Sequence, residues 1–166
     1  MTPQIIITRW GARLSGRVFP CSVGRNGVSH AKREGDGTTP AGVLHITGLL
    51  FRPDRIARHR LPDWARPIAR CDLWSDDPAD PEYNHLVRAP HRYSHEHLRR
   101  ADPLYDLILT TDWNAPQAIP GTGSAIFLHA WRRPRYPTAG CIAFRPADLL
   151  WIANHSSVGQ TLRILG

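Results

Sequence analysis

Fifteen prolines and thirteen glycines divide the 166-residue chain into short segments, and this punctuation constrains the fold more than any other feature. Proline removes a backbone donor and glycine favours turns, so many loops and few long helices are expected. The segments between them are mostly β in character. "QIIITRW" (4–10) and "GRVFPCSVG" (16–24) read as a strand pair joined by "GARLS", and "VLHITGLLF" (43–51) as a strand with partial alternation. Residues 104–112 and 124–131 are strongly β, "GCIAF" (140–144) is a short strand, and "QTLRIL" (160–165) is a last one. Helix is expected over 145–155, with Pro146 in the first turn and Leu149, Leu150 and Ile152 as apolar contacts. A second helix is expected in "SHEHLRRADP", with Ser94 as its cap and Pro103 as its stop. Between about 52 and 103 Pro, Arg, Asp and His accumulate, and an irregular insertion with short helical pieces is expected. The fold class is therefore mostly β, a β-rich α+β arrangement, in one domain over 1–166.

The net charge of +7 is almost wholly arginine, since Lys32 is the only lysine. A basic balance suits polyanions or carboxylate-bearing partners. The arginines are scattered, and no nucleic-acid-binding signature accompanies them, so nucleic acid is not an expected partner. Cys21, Cys71 and Cys141 are odd in number, so at least one is free or pairs between chains, and no C-x-x-C pair suggests a thiolate metal site. The three isoleucines near the N-terminus are too short an apolar run for a signal peptide, and no run reaches membrane-spanning length. In "HRYSHEH", His91 and His95 would share a helix face while His97 would not, so a polar surface is expected there rather than a metal site.

Chemistry concentrates in "AIFLHAWRRPRYPTAGCIAF" (125–144). One apolar run ends on His129, and another opens at Cys141 after an eleven-residue loop crowded with Arg and Pro. A thiolate is the nucleophilic form of cysteine, and a neighbouring imidazole can take the thiol proton. Adjacent strand ends would bring the two together, and Gly140 would let backbone approach a substrate, with N–H groups of Gly140 and Cys141 available as an oxyanion hole. A small buried cysteine beside a satisfied strand-end histidine explains the same residues equally well, and residue chemistry alone leaves both readings open.

"HAWRRPRYPTAGCIAF" resembles the signature of the L,D-transpeptidase (YkuD-domain) family: a histidine, a loop, then Ser/Thr-His-Gly-Cys and an aliphatic residue. Thr138, Gly140, Cys141 and Ile142 match, and His129 takes the place of the upstream histidine. "KREGDGTTPAG" (32–42) resembles the family's Gly-rich Thr-Pro-x-Gly segment, and "DDPADPEYN" (76–84) a segment of its short members. Ala139 and Ala143 depart from the pattern, and the His-to-Cys loop is shorter than usual.

The resemblance implies a mixed β-sheet sandwich or barrel-like core and a peptidoglycan crosslinking enzyme that needs no cofactor or metal. Donor and acceptor would be stem peptides, and the place of action the periplasm or cell envelope. Cys141 would be the nucleophile, His129 the base, and Thr138 and Gly140 orienting or oxyanion residues. Arg132, Arg133, Arg135 and Arg145 would pair with stem carboxylates or remain solvated loop charges. Trp131 and Tyr136 would line the pocket or simply pack. Lys32, Arg33 and Asp36 would border the site or only shape a turn, and Tyr83 and Asn84 are weaker candidates. Two rival functions remain: a peptidoglycan amidohydrolase or carboxypeptidase using the same pair, and a non-catalytic domain binding anionic envelope polymers.

Overall fold

The computed structural model describes residues 3–166. In chain order the strands are β1 (Ile5–Thr8), β2 (Gly11–Leu14), β3 (Arg17–Phe19), β4 (Cys21–Ser22), β5 (Val28–Ser29), β6 (Thr39–Pro40), β7 (Gly42–Phe51), β8 (Ala65–Pro67) and β9 (Asp72–Ser75). They continue as β10 (Leu86–Arg88), β11 (His95–His97), β12 (Leu107–Thr111), β13 (Leu128–Ala130), β14 (Ile142–Phe144) and β15 (Thr161–Ile164). One helix, α1 (Pro146–Asn154), precedes β15. A ten-stranded mixed sheet runs β3-β2-β1-β15-β7-β12-β13-β14-β4, with β8 paired to β7. It curls into a nearly closed, barrel-like core. Cys21 on β4 reaches back to the β1 end of this sheet, its thiol 3.7 Å from the Thr8 carbonyl.

Burial follows the pleat. Ile5 and Ile7 of β1 are fully buried while Ile6 and Thr8 are half-buried. Along β7 the buried side switches from Leu44 and Ile46 to Leu49 and Phe51. The cause is an extra residue: Thr110 of β12 pairs with Gly48 and Thr111 with Ile46, so Thr47 is bulged out. This explains the imperfect alternation in the sequence. Strands β12, β13 and β14 are buried on both faces and hence read as continuous apolar runs. Leu109, Leu128, Ala130, Ile142 and Phe144 point into the main core. Ile108 and Phe127 point the other way, into a second cluster with Ile68, Leu98 and Tyr105.

Two expectations are corrected. "GARLS" is not a connection: Gly11–Leu14 is strand β2, paired to both β1 and β3, with its turn at Ser15 and Gly16. "SHEHLRRADP" is not a helix. His95–His97 is β11, in a three-stranded sheet of order β10-β9-β11, and tertiary pairing overrides the local capping signals. The 52–103 segment is thus partly ordered by its own sheet and contains only a 3-10 turn at Arg58–Arg60. It covers the outer face of the barrel through Leu98, which is fully buried, and Trp74, whose ring meets Phe127 edge-on at 4.9 Å.

Candidate active site

The parallel pair β13 and β14 aligns His129 with Ala143 and Leu128 with Ile142. Side chains alternate along each strand, so Phe127, His129, Cys141 and Ala143 share the outer face of the barrel. There Cys141 and His129 open into one cleft of about 370 Å³, whose walls include Glu96, Arg100, Tyr105 and Arg132. Cys141 is half-buried at its floor, and His129 is buried with 6% of its surface exposed.

The thiol is held from two sides. Cys141 Sγ donates to the Ala125 carbonyl at 2.9 Å and accepts the Phe127 N–H at 3.4 Å. Burial and the nearby Glu96 carboxyl push its pKa up to about 12, opposed by the Phe127 N–H and by Lys32. His129 Nδ1 lies 2.7 Å from the Ala130 carbonyl. A carbonyl can only accept, so Nδ1 carries the proton and Nε2 of the neutral ring is left as an acceptor. Burial lowers the His129 pKa to about 4. The resting pair is therefore a thiol and a neutral imidazole, not a preformed ion pair.

The two sequence motifs, about a hundred residues apart, meet beneath the cysteine. Thr39 Oγ1 donates to the Gly140 carbonyl at 2.7 Å and accepts the Gly24 N–H at 2.8 Å. A side chain at Gly140 would stand 2.8 Å from the Thr38 carbonyl, so only glycine fits this close approach. Lys32 is enclosed by its bonds to Asp36 Oδ1 (2.6 Å) and the Arg33 carbonyl (2.8 Å). Asp36 also accepts from the backbone of Arg33 and Thr38, and these bonds hold its carboxyl below the usual range although burial opposes them. Thr138 Oγ1 accepts the Gly140 N–H at 3.0 Å and donates to the Cys141 carbonyl at 2.6 Å. The Gly140 N–H is therefore already engaged, and the N–H of Cys141 has no acceptor among the described residues.

Of the loop residues, Arg132, Tyr136, Thr138 and Ala139 line the cleft. Arg133 stacks on the Tyr136 ring at 4.4 Å. Trp131 does not line the cleft and is tied to the barrel through its N–H to the Phe144 carbonyl at 2.8 Å. The arginine candidates Arg145 and Arg135 do not line the cleft. Arg145 is paired to Asp148 at 2.7 Å on α1, and Arg135 lines a neighbouring groove with Arg9 and Trp10. Tyr83 and Asn84 are buried behind the cleft rather than in it. Tyr83 donates to Glu34, and Asn84 Oδ1 accepts the Ala125 N–H at 2.9 Å. Asn84 thus fixes the residue whose carbonyl holds the thiol, at a position where Ala125 has a φ of 50°. His91 is not half of a helical pair: it bonds the Asp80 carboxylate at 2.6 Å. All three cysteines are free.

Sequence reasoning missed Glu96 and Tyr105. Both lie in or beside the segment read as irregular or helical, and nothing in a single sequence signals that β11 turns Glu96 toward the thiol.

Residues 8–164 match the family model of the L,D-transpeptidase catalytic domain, YkuD. Among solved structures, Bd1075 of Bdellovibrio bacteriovorus superposes with a TM-score of 0.51 at 14% identity, over 99% of this chain and 48% of that one. L,D-transpeptidase 1 of Mycobacterium tuberculosis gives a TM-score of 0.48 at 13% identity, over 99% of this chain and 60% of that one. The L,D-transpeptidase of Mycobacterium smegmatis gives 0.49 at 12% identity, over 99% and 59%. The chain thus spans about half to three-fifths of the length of these proteins, and at such identity the likeness concerns the fold alone. No curated protein matches the sequence. With the family model matched over residues 8–164, on a barrel that sets Cys141 and His129 in one cleft, the chain belongs to the YkuD family of L,D-transpeptidase catalytic domains.

Proposed function

We propose that this chain is the catalytic domain of a cysteine-dependent peptidoglycan L,D-transpeptidase, working in the periplasm or cell envelope where that polymer lies. The observation that carries the reading is that His129 on β13 and Cys141, just before the parallel strand β14, line one cleft, with the imidazole in the tautomer that leaves Nε2 as a proton acceptor. Among the described residues no helix is long and apolar enough to cross a membrane.

In this reading Cys141 Sγ attacks a carbonyl of a donor stem peptide while His129 Nε2 takes the thiol proton and then gives it to the leaving amine. Proton transfer accompanies attack, because burial keeps both groups neutral at rest. Lys32 favours the charge that develops on sulfur, and the N–H of Cys141 stabilises the oxyanion. A thioester results, and an amine of a second stem, the side-chain amine of diaminopimelate, resolves it to a crosslink. Arg25, Arg100 and Arg132 around the cleft suit the carboxylates of both stems. The small Ala139 in the cleft wall, where the family signature it resembles has histidine, leaves room for a donor cut after its first residue. Crosslinks of 1,3 type are therefore expected alongside 3,3-type ones.

Purified muropeptides with tetrapeptide and longer stems test the reading, with dimers sequenced by tandem mass spectrometry. Cys141→Ala should give no product while Cys21→Ala and Cys71→Ala remain active. Crosslinks made by the Cys141 variant overturn the mechanism. Dimers that all join position three to position three overturn the donor placement and leave the chemistry standing.

A further inference from the structure

The segment between β7 and β12 delivers one acidic side chain to the cleft. Glu96, at the middle of β11, lines it beside Cys141, His129, Tyr105 and Arg100. Glu96 Oε2 accepts the Tyr105 hydroxyl, and the Tyr105 ring stands edge-on to His129 with centroids 5.3 Å apart. Arg100 lies over the same ring at 5.2 Å. Tyr105 is the only protein donor to this carboxyl among the described residues, so the other oxygen is left for what enters the cleft.

The electrostatics of the first half-reaction do not account for this residue. Glu96 raises the pKa of the very thiol that must be deprotonated, so it works against acylation. The charged and titratable groups facing it are Arg100, Asp76, Glu34, Tyr105 and Cys141. Burial raises the Glu96 carboxyl above its ordinary range, with the Tyr105 hydrogen bond and Arg100 opposing. A carboxyl so placed suits a partner that brings a positive charge and a proton to be removed, and the second half-reaction supplies one.

We infer that Glu96 selects the acceptor: its carboxylate, oriented by Tyr105, receives the ammonium group of the incoming amine beside the thioester and takes one proton from it, favouring aminolysis over hydrolysis. This is a step of the transpeptidase reading above and rests on it. The step balances. The ammonium gives one proton to Glu96, and the neutral amine nitrogen forms the C–N bond at the thioester carbon. His129 Nε2 takes a second proton from that nitrogen. The C–S bond breaks, the sulfur leaves with the electron pair and regains the proton from His129, and Glu96 releases its own proton to solvent.

The test follows intact acyl-enzyme by mass spectrometry and measures the ratio of aminolysis to hydrolysis. The acceptors are a stem peptide bearing a free side-chain amine and hydroxylamine, which is uncharged at neutral pH. Glu96→Gln keeps an acceptor for the Tyr105 hydroxyl but no charge. It should acylate at least as fast as wild type, lose about tenfold to a hundredfold in ratio with the amine stem, and keep its ratio with hydroxylamine. Glu96→Asp should retain more of the ratio than Glu96→Gln. An unchanged ratio with the amine stem overturns the inference. An equal loss with both acceptors also overturns it, because it marks a residue that only shapes the cleft. Wild-type protein that forms no acyl-enzyme on Cys141 defeats the transpeptidase reading itself, and the role of Glu96 falls with it.

Discussion

Among the described residues Thr39 makes the one side-chain hydrogen bond between the two sequence motifs, and replacing it measures how much that junction contributes. It is fully buried, and its hydroxyl is both donor to Gly140 and acceptor from Gly24. Thr39→Val keeps the shape and removes both bonds, leaving a buried carbonyl and a buried N–H without partners. Each orphaned group costs about 1–3 kcal/mol, so the variant should lose about 4 kcal/mol of stability. Thr39→Ser keeps both bonds and loses one methyl group, at a cost of about 1 kcal/mol. Urea unfolding of the two variants gives the comparison directly, because the cavity lies with Ser and the broken bonds with Val. The turn that ends on Cys141 should also loosen in Thr39→Val, so its rate of acyl-enzyme formation should fall with its stability, while Thr39→Ser stays near wild type. A valine variant as stable as the serine variant would refute the argument that this hydroxyl anchors the catalytic turn.

Two further outcomes follow from His129. His129→Ala should slow acylation by about a hundredfold or more, and its residual rate should rise about tenfold per pH unit toward about 12, as the thiolate forms unaided; a flat pH profile would make His129 a structural residue. His129 also sets an acid limit on stability: its pKa falls from 6.5 to about 4 on folding, so its contribution is complete above 6.5 and is lost as the pH falls through about 4. The difference corresponds to about 3 kcal/mol, and His129→Asn should flatten that part of the curve in urea unfolding at pH 4 and 7, whereas unaltered pH dependence would show that His129 is not held neutral by burial.

What the sequence made legible follows a physical division. The barrel strands announced themselves because β12, β13 and β14 are buried on both faces and β1 is a run of β-branched residues, and α1 because Pro146 sits where a helix begins. Strand-end positions alone left His129 and Cys141 open between a catalytic pair and ordinary packing, and it was the resemblance of their motif that singled them out; the part played by Thr39 was not read at all. β2 was not, because four residues between Gly11 and Ser15-Gly16 have the composition of a turn, and only pairing with β1 and β3 makes them a strand. The 94–103 segment misled because Ser94 and Pro103 are genuine helix-end signals. The competing signal, a leucine that must be fully buried against the barrel, is non-local. For Arg145 and Arg135 sequence left stem binding and solvated loop charge both open, because side chains follow the directions of their elements, which take one to Asp148 and the other to a neighbouring groove.

The same division bears on how the site works. Strands β13 and β14 alone would present Cys141 and His129 on an outer barrel face open to water, where a thiol and an imidazole have nearly ordinary pKa values. The 52–103 segment, the part least readable from sequence, encloses that face with Leu98, Trp74, Glu96 and, just beyond it, Tyr105. Enclosure drives the thiol up and the imidazole down, so it favours the neutral form of both groups. A neutral thiol is also a poor target for stray electrophiles. The barrel therefore positions Cys141 and His129, and the irregular segment sets the surroundings of both. The selectivity between amine and water inferred for Glu96 then resides in β11 rather than in the motif that contains the nucleophile.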